Sequence, residues 1–334
     1  MWDFSIPRAL SLMGQTLPFI IFRIIVYAGI AIAYVLVTGV GAGIGWGVGA
    51  FGDADFQGAA TFWGGALGFG LTAGALYFAR EYILYIVKAG HIAVMVELLD
   101  GGSVPQGRDQ ISHAAETVKA RFAETSVLFA LDQLVKGVLG AIVGLIQGIT
   151  AVLPIPGLQN IVGVIRAFLR IAVGLVDEII LAYAIRTRST NPWESAQTAL
   201  VLYTQNYRTM LRNAAWLTLI TWGLALVVFL IMLAPAAAMV AIIPNAWSAG
   251  GLVFALIFAW AVKVALIEPF ALACLMQVYF RTIAGQVPDP AWHSRIASVS
   301  GKFRQLGERA VGWVGGRPRT GSGFAAFPPG GARQ

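Results

Sequence analysis

The chain has 334 residues, of which 58% are hydrophobic and only 12% are charged, and its mean hydropathy is +0.75. A soluble protein of this size cannot hide so much apolar surface in one core, so these values exclude an ordinary soluble domain and predict that lipid solvates much of the chain. The net charge of +7 is no argument for nucleic acid as a partner, because the basic residues lie in short loops between apolar segments.

Six segments are long and apolar enough to cross a bilayer, which requires about 20 residues per helix. They cover residues 17–39, 62–87, 127–150, 161–185, 214–233 and 251–280. The first apolar run is too long for the core of a signal peptide and has no small-residue cleavage site, so we interpret it as an uncleaved span. We predict an all-α, polytopic integral membrane protein, with a single transmembrane domain over residues 1–314 and a disordered tail over residues 315–334.

The basic residues are distributed unequally between the connections of these spans. The predicted outer connections, residues 40–61, 151–159 and 235–250, contain no lysine or arginine. The inner connections and the C-terminal segment are basic. By the positive-inside rule, both termini lie in the cytoplasm and the protein is a multi-pass protein of the cell membrane, the inner membrane of a bacterium.

One pattern recurs three times along the chain. An acid near the inner end of an apolar segment, at Glu81, Glu178 and Glu268, is followed by a proline-containing polar loop and an amphipathic stretch. A period of about 100 residues fits one helical hairpin and one surface helix, so we predict three repeated hairpins with cytoplasmic amphipathic helices. These helices are predicted at residues 106–124, 192–213 and 291–314.

The last of these helices has the clearest amphipathic pattern, with apolar residues every three or four positions and basic residues between them. The predicted membrane-surface anchor consists of Trp292, Arg295, Lys302, Phe303, Arg304 and Trp313. An aromatic stripe with a basic opposite face is typical of a helix that lies in the plane of an anionic membrane. The alternative, which we favour for all three helices, is that they brace the hairpins as cytoplasmic collars.

Glycines recur at every second position from residue 39 to residue 49. They form two interleaved series, Gly39/Gly43/Gly47 and Gly41/Gly45/Gly49, and further sets follow at Gly64/Gly68, Gly70/Gly74 and Gly140/Gly144/Gly148. Close approach of helices through small residues is a main source of association in lipid, so we interpret these glycines as packing surfaces. The alternative is an unwound stretch that offers backbone carbonyls to a substrate.

Charged residues inside the predicted spans are the candidate functional groups, because each costs at least ~2.5 kcal/mol at the bilayer centre unless it faces protein or water. The candidates for a substrate path are Arg170, Asp177, Glu178, Asp132, Lys136, Glu81 and Glu268. In one interpretation they neutralise each other and set the register of the hairpins. In the other they line a polar cavity in the inner half of the bundle. The nearly equal numbers of acids and bases favour the first.

Three local patterns support these candidates. Arg170 and Asp177 fall on one stripe of the fourth span, and Asp132 and Lys136 form an acid-first pair four residues apart. Pro269 in the sixth span should free a backbone carbonyl one turn earlier and kink the helix beside its acid.

The chain shows no signature of catalysis or of metal binding. Its three histidines are scattered without the spacing of metal ligands, its one cysteine lies in an apolar run, and no phosphate-binding loop or nucleophile motif occurs. We therefore predict that the protein is not an enzyme and that it has no cofactor and no metal site.

Residues 89–95 read Ala-Gly-His-Ile-Ala-Val-Met, residues 132–139 read Asp-Gln-Leu-Val-Lys-Gly-Val-Leu, and residues 176–184 read Val-Asp-Glu-Ile-Ile-Leu-Ala-Tyr-Ala. With the polar linker and helix after the first block, this region of residues 82–188 resembles the core of the choline transporter-like family of membrane proteins. The resemblance covers about a third of the chain. It implies the movement of choline-like or other small amphiphilic molecules.

Two hypotheses for the function follow. The first is a transporter of a small solute or a lipid headgroup, with membrane lipid and a small amphiphilic or cationic solute as partners. The second is a non-transporting scaffold or assembly factor in which the same charges are buried pairs. A water-accessible cavity with unpaired charges on its wall would favour the transporter, and a dry bundle with every charge paired would favour the scaffold.

Overall fold

The computed structural model describes residues 1–79, 85–105, 107–122, 125–152, 175–242, 250–314 and 317–318. These residues are almost entirely helical. The exception is a short antiparallel pair of strands, β1 (Trp313–Val314) and β2 (Arg317–Pro318). The prediction of an all-α chain is therefore confirmed for the described part. Residues 315–316 and 319–334 of the predicted disordered tail lie outside it.

The helices are numbered here in chain order. They are α1 (Ile6–Gln15), α2 (Leu17–Gly49), α3 (Ala54–Ala79), α4 (Tyr85–Leu99), α5 (Arg108–Phe122), α6 (Thr125–Val152), α7 (Val176–Arg186), α8 (Pro192–Gln205), α9 (Tyr207–Ile242), α10 (Gly250–Val262), α11 (Glu268–Thr282), α12 (Pro290–Val299) and α13 (Gly301–Val311). A five-residue π-helix, Lys263–Ile267, joins α10 to α11.

Two long hairpins carry most of the exposed apolar surface. Helices α2 and α3 pack along each other, α9 packs along α10, and α10 contacts α2. Four segments in them are long and apolar enough to cross a membrane: Leu17–Gly49, Ala54–Leu76, Tyr207–Pro235 and Ala255–Thr282. Their large side chains, such as Ile25, Leu71 and Leu219, are exposed. Each such side chain left in water would lose the roughly 1.5–3 kcal/mol of free energy that burial provides. These helices therefore indicate a membrane protein, in which lipid covers their apolar surface.

The remaining helices form a core that is packed on protein. Helix α7 contacts α4, α8 and α11, and α13 contacts α6 and α8. Nine of the eleven residues of α7 and ten of the fourteen residues of α8 are buried, and the second half of the last candidate span, α11, enters the same core. The chain thus combines lipid-exposed hairpins with a helical core that has little surface to offer to lipid.

The prediction of six spans is confirmed only in part, because four of the six segments correspond to candidate spans. Residues 127–150 lie in α6, which is not among them, and residues 161–174 lie outside the described part. Bounds also differ: α2 continues through the glycine run to Gly49, and α9 continues through Pro235, which had been placed in an outer connection.

Two of the three predicted surface helices differ from the structure in their bounds and their surroundings. The segment 192–213 is interrupted at Asn206: α8 ends there, and α9 begins at Tyr207 and continues into a candidate span. Residues 291–314 form two helices, because Ser300 has an extended backbone and its hydroxyl accepts a hydrogen bond from the Phe303 N–H (3.3 Å). Such a side-chain cap starts a new helix. The first, 106–124, corresponds to α5.

Two of the three proline-containing loops end in a capped helix start. Asn191 accepts a hydrogen bond from the Glu194 N–H (3.3 Å) and precedes Pro192, and Asp289 accepts one from the Ala291 N–H (2.7 Å). A short polar side chain at the N-cap followed by proline is a strong start signal, since proline has no N–H to leave unpaired in the first turn. Each of the three predicted repeat units thus contains a helix, a loop and a second helix. The repeat itself stays a prediction.

One of the two glycine series holds α2 against α3. A Cβ atom on Gly41, Gly45 or Gly49 would lie 2.3, 2.0 or 2.5 Å from backbone atoms of α3. A Cβ on Gly43 would meet nothing within 4 Å. The same holds for the rest of its series, Gly39 and Gly47, and for Gly70, Gly74, Gly140 and Gly144. The packing interpretation is confirmed for Gly41, Gly45 and Gly49, with the α3 backbone as the partner surface.

Candidate functional site

The predicted path residues that the structure describes fall into two groups. We call Lys88, Asp132, Lys136, Asp177 and Glu178 the lysine–carboxylate cluster, and Arg23, Lys263 and Glu268 the arginine–glutamate cluster. Glu81 and Arg170 lie outside the described residues. Lys88 and Arg23 were not among the predicted path residues. Lys88 directly follows the second predicted span, in a basic inner connection, and only long-range packing reveals that it lies against acids.

The lysine–carboxylate cluster joins α4, α6 and α7. Lys88 of α4 forms an ion pair with Glu178 at the start of α7. Lys136 Nζ lies 2.6 Å from Asp132 Oδ2, one helical turn away on α6, and 3.9 Å from Asp177 Oδ2 on α7. The predicted pair of Asp132 and Lys136 is confirmed, and it also reaches α7.

The three carboxylates are deeply buried, whereas one of the lysines is not. The exposed fractions of the Asp132, Asp177 and Glu178 side chains are 1%, 6% and 4%, and that of Lys136 is 47%. Asp177 and Glu178 occupy the first turn of α7, where the helix dipole and free N–H groups favour negative charge. The cluster therefore places three acids on the inside of the protein and one cation at their edge.

Two oxygens of this cluster lack a hydrogen-bond partner. Asp132 Oδ1 and Asp177 Oδ1 are buried, and neither has a partner among the described residues. An unsatisfied buried acceptor costs about 1–3 kcal/mol, more when it is charged, so such a group in a folded protein calls for an explanation, such as a functional role or a bound water or ion. The two oxygens mark the point where the cluster can accept a further hydrogen-bond donor or cation.

The arginine–glutamate cluster lies where α2 crosses the π-helix. In a π-helix each N–H bonds to the carbonyl five residues earlier, as the Glu268 N–H does with Lys263 O. Pro269 has no N–H, so the Val264 carbonyl is left free. The Arg23 guanidinium donates to it from α2 at 2.6 Å. The sequence prediction that Pro269 frees a carbonyl is confirmed, and the group that satisfies it comes from a helix more than 200 residues earlier.

Arg23 also contributes to the ion pairs of Glu268. Its Nη2 atom is 3.9 Å from Glu268 Oε2, and Lys263 Nζ is 3.2 Å from Glu268 Oε1. Lys88 lies within electrostatic reach of Glu268 as well as of Asp177 and Glu178, so the two clusters are neighbours. Together they contain four acids and four cations, and each of the eight side chains takes part in an ion pair.

Two cavities lined by described residues lie away from these clusters. One of about 570 Å³ and one of about 490 Å³ lie on either side of an ion pair between Asp100 and Arg186, at the C-terminal ends of α4 and α7. The first is also lined by Arg8 and Arg281. Sequence reasoning missed these residues as site candidates, because it counted the inner arginines only as topology signals.

The predicted membrane-surface anchor does not present its apolar stripe to lipid. Phe303 is fully buried in the core, and the Trp313 indole donates to the Thr190 carbonyl at 2.8 Å. Trp292 also packs against the core, and Arg295 lies over its ring at 5.2 Å. Lys302 and Arg304 are exposed. The stripe packs on α6 and α8, as expected for a collar that braces other helices.

His91 of α4 is buried and neutral, and it packs against the start of α2. The Thr16 hydroxyl donates to Leu12 O (2.9 Å), so it accepts from His91 Nε2–H at 2.9 Å, and His91 Nδ1 has no partner among the described residues. Its ring stacks on Phe19. Burial, together with the charge of Arg23, holds the pKa of His91 well below its usual range.

This burial predicts an acid-sensitive fold. Below a pH of about 6.5 the unfolded chain binds a proton at His91 that the folded protein does not, so stability falls as the pH drops, by at most about 1.4 kcal/mol per pH unit. Unfolding temperatures of the purified protein between pH 8 and pH 5 would show this decline. His91→Gln should flatten the curve. A wild-type curve that is already flat would contradict the assignment.

The described residues contain no group of three or more His, Cys, Asp or Glu side chains that could hold a metal ion. Comparison with family models, with curated proteins and with solved structures gave no match for this chain. The class of the protein therefore follows from its own architecture: the described residues form a helical membrane protein with four segments long and apolar enough to cross a membrane. The resemblance to the choline transporter-like family stays a prediction.

Proposed function

We propose that this protein is a membrane transporter for a small cationic or amphiphilic solute, and that the lysine–carboxylate cluster is part of its path. The observation that carries the proposal is a pair of buried oxygens, one each from Asp132 and Asp177, that have no hydrogen-bond partner among the described residues and lie beside a half-exposed Lys136. In this proposal α6 and residues 161–185 form a further hairpin, which gives six spans with both termini in the cytoplasm of the cell membrane.

The charge balance of the cluster suggests how a solute would be held. Three carboxylates face two ammonium groups, so the cluster has one negative charge in excess when all five are ionised. Asp132 and Asp177 share Lys136, whose side chain is the most exposed of the cluster. A quaternary or primary ammonium group could replace Lys136 beside these two acids at little electrostatic cost, because one cation would be exchanged for another.

One observation favours a second candidate, a non-transporting scaffold or assembly factor. All eight charged residues of the two clusters form ion pairs, and the two cavities found among the described residues lie elsewhere in the structure. In this case the ion pairs set the register of α2, α4, α6, α7 and α11, and the core formed by α7, α8, α12 and α13 offers a rigid platform.

Uptake measurements separate the two functions. In vesicles reconstituted with the purified protein, we expect uptake of radiolabelled choline above that of protein-free vesicles, and we expect Asp177→Asn to reduce it to the protein-free level. Asparagine preserves the volume of the side chain but removes the charge that a cation needs. Glu194→Gln, on the exposed side of α8, removes one charge elsewhere and should leave uptake unchanged.

The folded state of each variant would be checked by its elution volume and its unfolding temperature. Unchanged uptake in Asp177→Asn would remove this residue from the mechanism. Absence of uptake in the wild type, together with a loss of stability in Asp177→Asn, would support the scaffold instead.

A further inference from the structure

The larger cavity lies where the C-terminal ends of α4, α7 and α11 meet the N-terminal segment, and it has a volume of about 570 Å³. Three arginines line it: Arg8 from α1, Arg186 from α7 and Arg281 from α11. Helix C-termini carry negative partial charge, so cations at these positions stabilise the helix ends. That role alone does not explain why three guanidinium groups from different helices line one cavity.

The two carboxylates on the cavity wall are already neutralised. Arg186 Nε donates a hydrogen bond to Asp100 Oδ2 at 3.1 Å, and its Nη2 atom forms an ion pair with Asp100 Oδ1 at 2.7 Å. Asp3 is held by Arg212 and also accepts from the Asn213 amide at 2.7 Å. Asp3 also lies within electrostatic reach of Arg281, so two aspartates face four arginines, and two positive charges remain in excess.

Arg8 and Arg281 carry the charge that is left over. Arg8 donates to the Leu99 carbonyl at 2.9 Å, and Arg281 donates to the Asp3 carbonyl. Neither guanidinium lies within 4.0 Å of a carboxylate of the described residues. Each guanidinium has five N–H donors, so both retain donors that a ligand can use. The cavity therefore has two uncompensated positive charges and free donors.

The N-terminal segment places this cavity beside the start of a candidate span. Asp3 bonds to Arg212 and Asn213 in the first turns of α9, and Tyr207–Pro235 of that helix is a candidate span. Trp2 packs edge-on against Trp216, and both rings are partly exposed. Tryptophan is enriched at the level of the lipid headgroups. The cavity thus lies beside the end of a candidate span and beside an exposed tryptophan pair.

We propose that this cavity binds a phosphate group, carried either by an anionic phospholipid or by a small soluble phosphate. Guanidinium groups match the geometry of phosphate oxygens and bind them with paired, charge-assisted hydrogen bonds. Arg8 and Arg281 supply the charge and the free donors, and Arg186 is held in place on the Phe280 ring at 4.4 Å. The site is independent of the solute path proposed above.

The test is the thermal unfolding of the purified full-length protein in a neutral detergent, at constant ionic strength. One arm titrates inorganic phosphate, and a second adds phosphatidylglycerol to the micelles, with diacylglycerol as the phosphate-free lipid. Arg8→Gln should weaken the stabilising effect about tenfold in apparent affinity, because one charged hydrogen-bonding group is lost. Arg8→Lys keeps the charge but lacks the planar guanidinium, so its apparent affinity should lie between that of the wild type and that of Arg8→Gln.

The matched control is Arg295→Gln, which removes one exposed arginine from α12, away from the cavity. Stabilisation by inorganic phosphate would identify a soluble ligand, and stabilisation by phosphatidylglycerol alone would identify a lipid headgroup. Both support a phosphate site. No stabilisation in either arm, an equal effect of diacylglycerol, or an equal loss in Arg8→Gln and Arg295→Gln would overturn the proposal. Arg8 is exposed and its bond to Leu99 is peripheral, so the variant is expected to fold.

Discussion

Replacing Glu178 by glutamine is expected to lower the free energy of unfolding by about 3 kcal/mol, because it leaves Lys88 in the core without its direct ion-pair partner. The Glu178 side chain is almost fully buried, and Lys88 is three-quarters buried. Loss of one partner from such a pair is costly, since the remaining charge keeps its desolvation penalty. The neighbouring Asp177 and Glu268 offset part of this cost. The expected loss in the free energy of unfolding therefore lies at the lower end of the range for broken buried ion pairs.

A denaturation series in mixed micelles of neutral detergent and sodium dodecyl sulfate would measure this effect. The matched control is Asp100→Asn, which breaks the ion pair with Arg186. In that pair the side chain of Asp100 is 40% exposed and that of Arg186 is 36% exposed. An exposed pair contributes about 0–1 kcal/mol. The double variant Lys88→Met/Glu178→Gln should be more stable than the sum of the two single changes predicts, because it removes both charges. If Glu178→Gln lowered the free energy of unfolding no more than Asp100→Asn does, the ion pair of Lys88 and Glu178 would not be buried.

The second large effect is expected in the α2–α3 hairpin. Gly45→Ala should destabilise the protein by about 1–3 kcal/mol, because the new methyl group would lie 2.0 Å from the Ala60 carbonyl oxygen and must push the two backbones apart. Backbone atoms cannot rotate away as the end of a side chain can. Close helix approach is what holds such a hairpin together in lipid, so the cost is not limited to one contact.

Gly43→Ala provides the control two residues away on the same helix. Nothing lies within 4 Å of its added methyl group, so it should be neutral or stabilise the helix by up to about 1 kcal/mol. Thermal unfolding of both variants in the same detergent would show the difference. Equal stability of the two variants would mean that the two hairpin helices are not in close contact in the membrane.

Local patterns in the sequence were sufficient for several features of the structure. The pairing of Asp132 with Lys136 follows from a spacing of four residues on a helix, and the free carbonyl before Pro269 follows from the missing N–H of proline. These predictions depend on residues within two turns of each other, and helix geometry alone sets their distances. The alternating glycines likewise predicted close packing, although not which of the two series provides it.

The sequence correctly predicted the amphipathic pattern of the collar helices, but it did not reveal whether lipid or protein covers their apolar face. An apolar stripe is compatible with lipid or with protein, because both remove it from water to a similar degree. Only the packing of α13 against α6 and α8 shows that Phe303 lies in a protein core. The candidate site had the same limitation: the acids were identified from their position in apolar segments, but their cationic partners, such as Lys88, lie far away in the chain.

By itself the sequence determined that the chain is helical, that much of its surface requires lipid, and where the costly charges lie, since these depend on composition and on short spacings. The tertiary structure alone decided that Lys88 meets Glu178, that Arg23 satisfies the Val264 carbonyl, and that three arginines converge on one cavity. The physical reason is that a charge in a low-dielectric interior requires a partner, but its energy depends on distance in space and not on position in the chain.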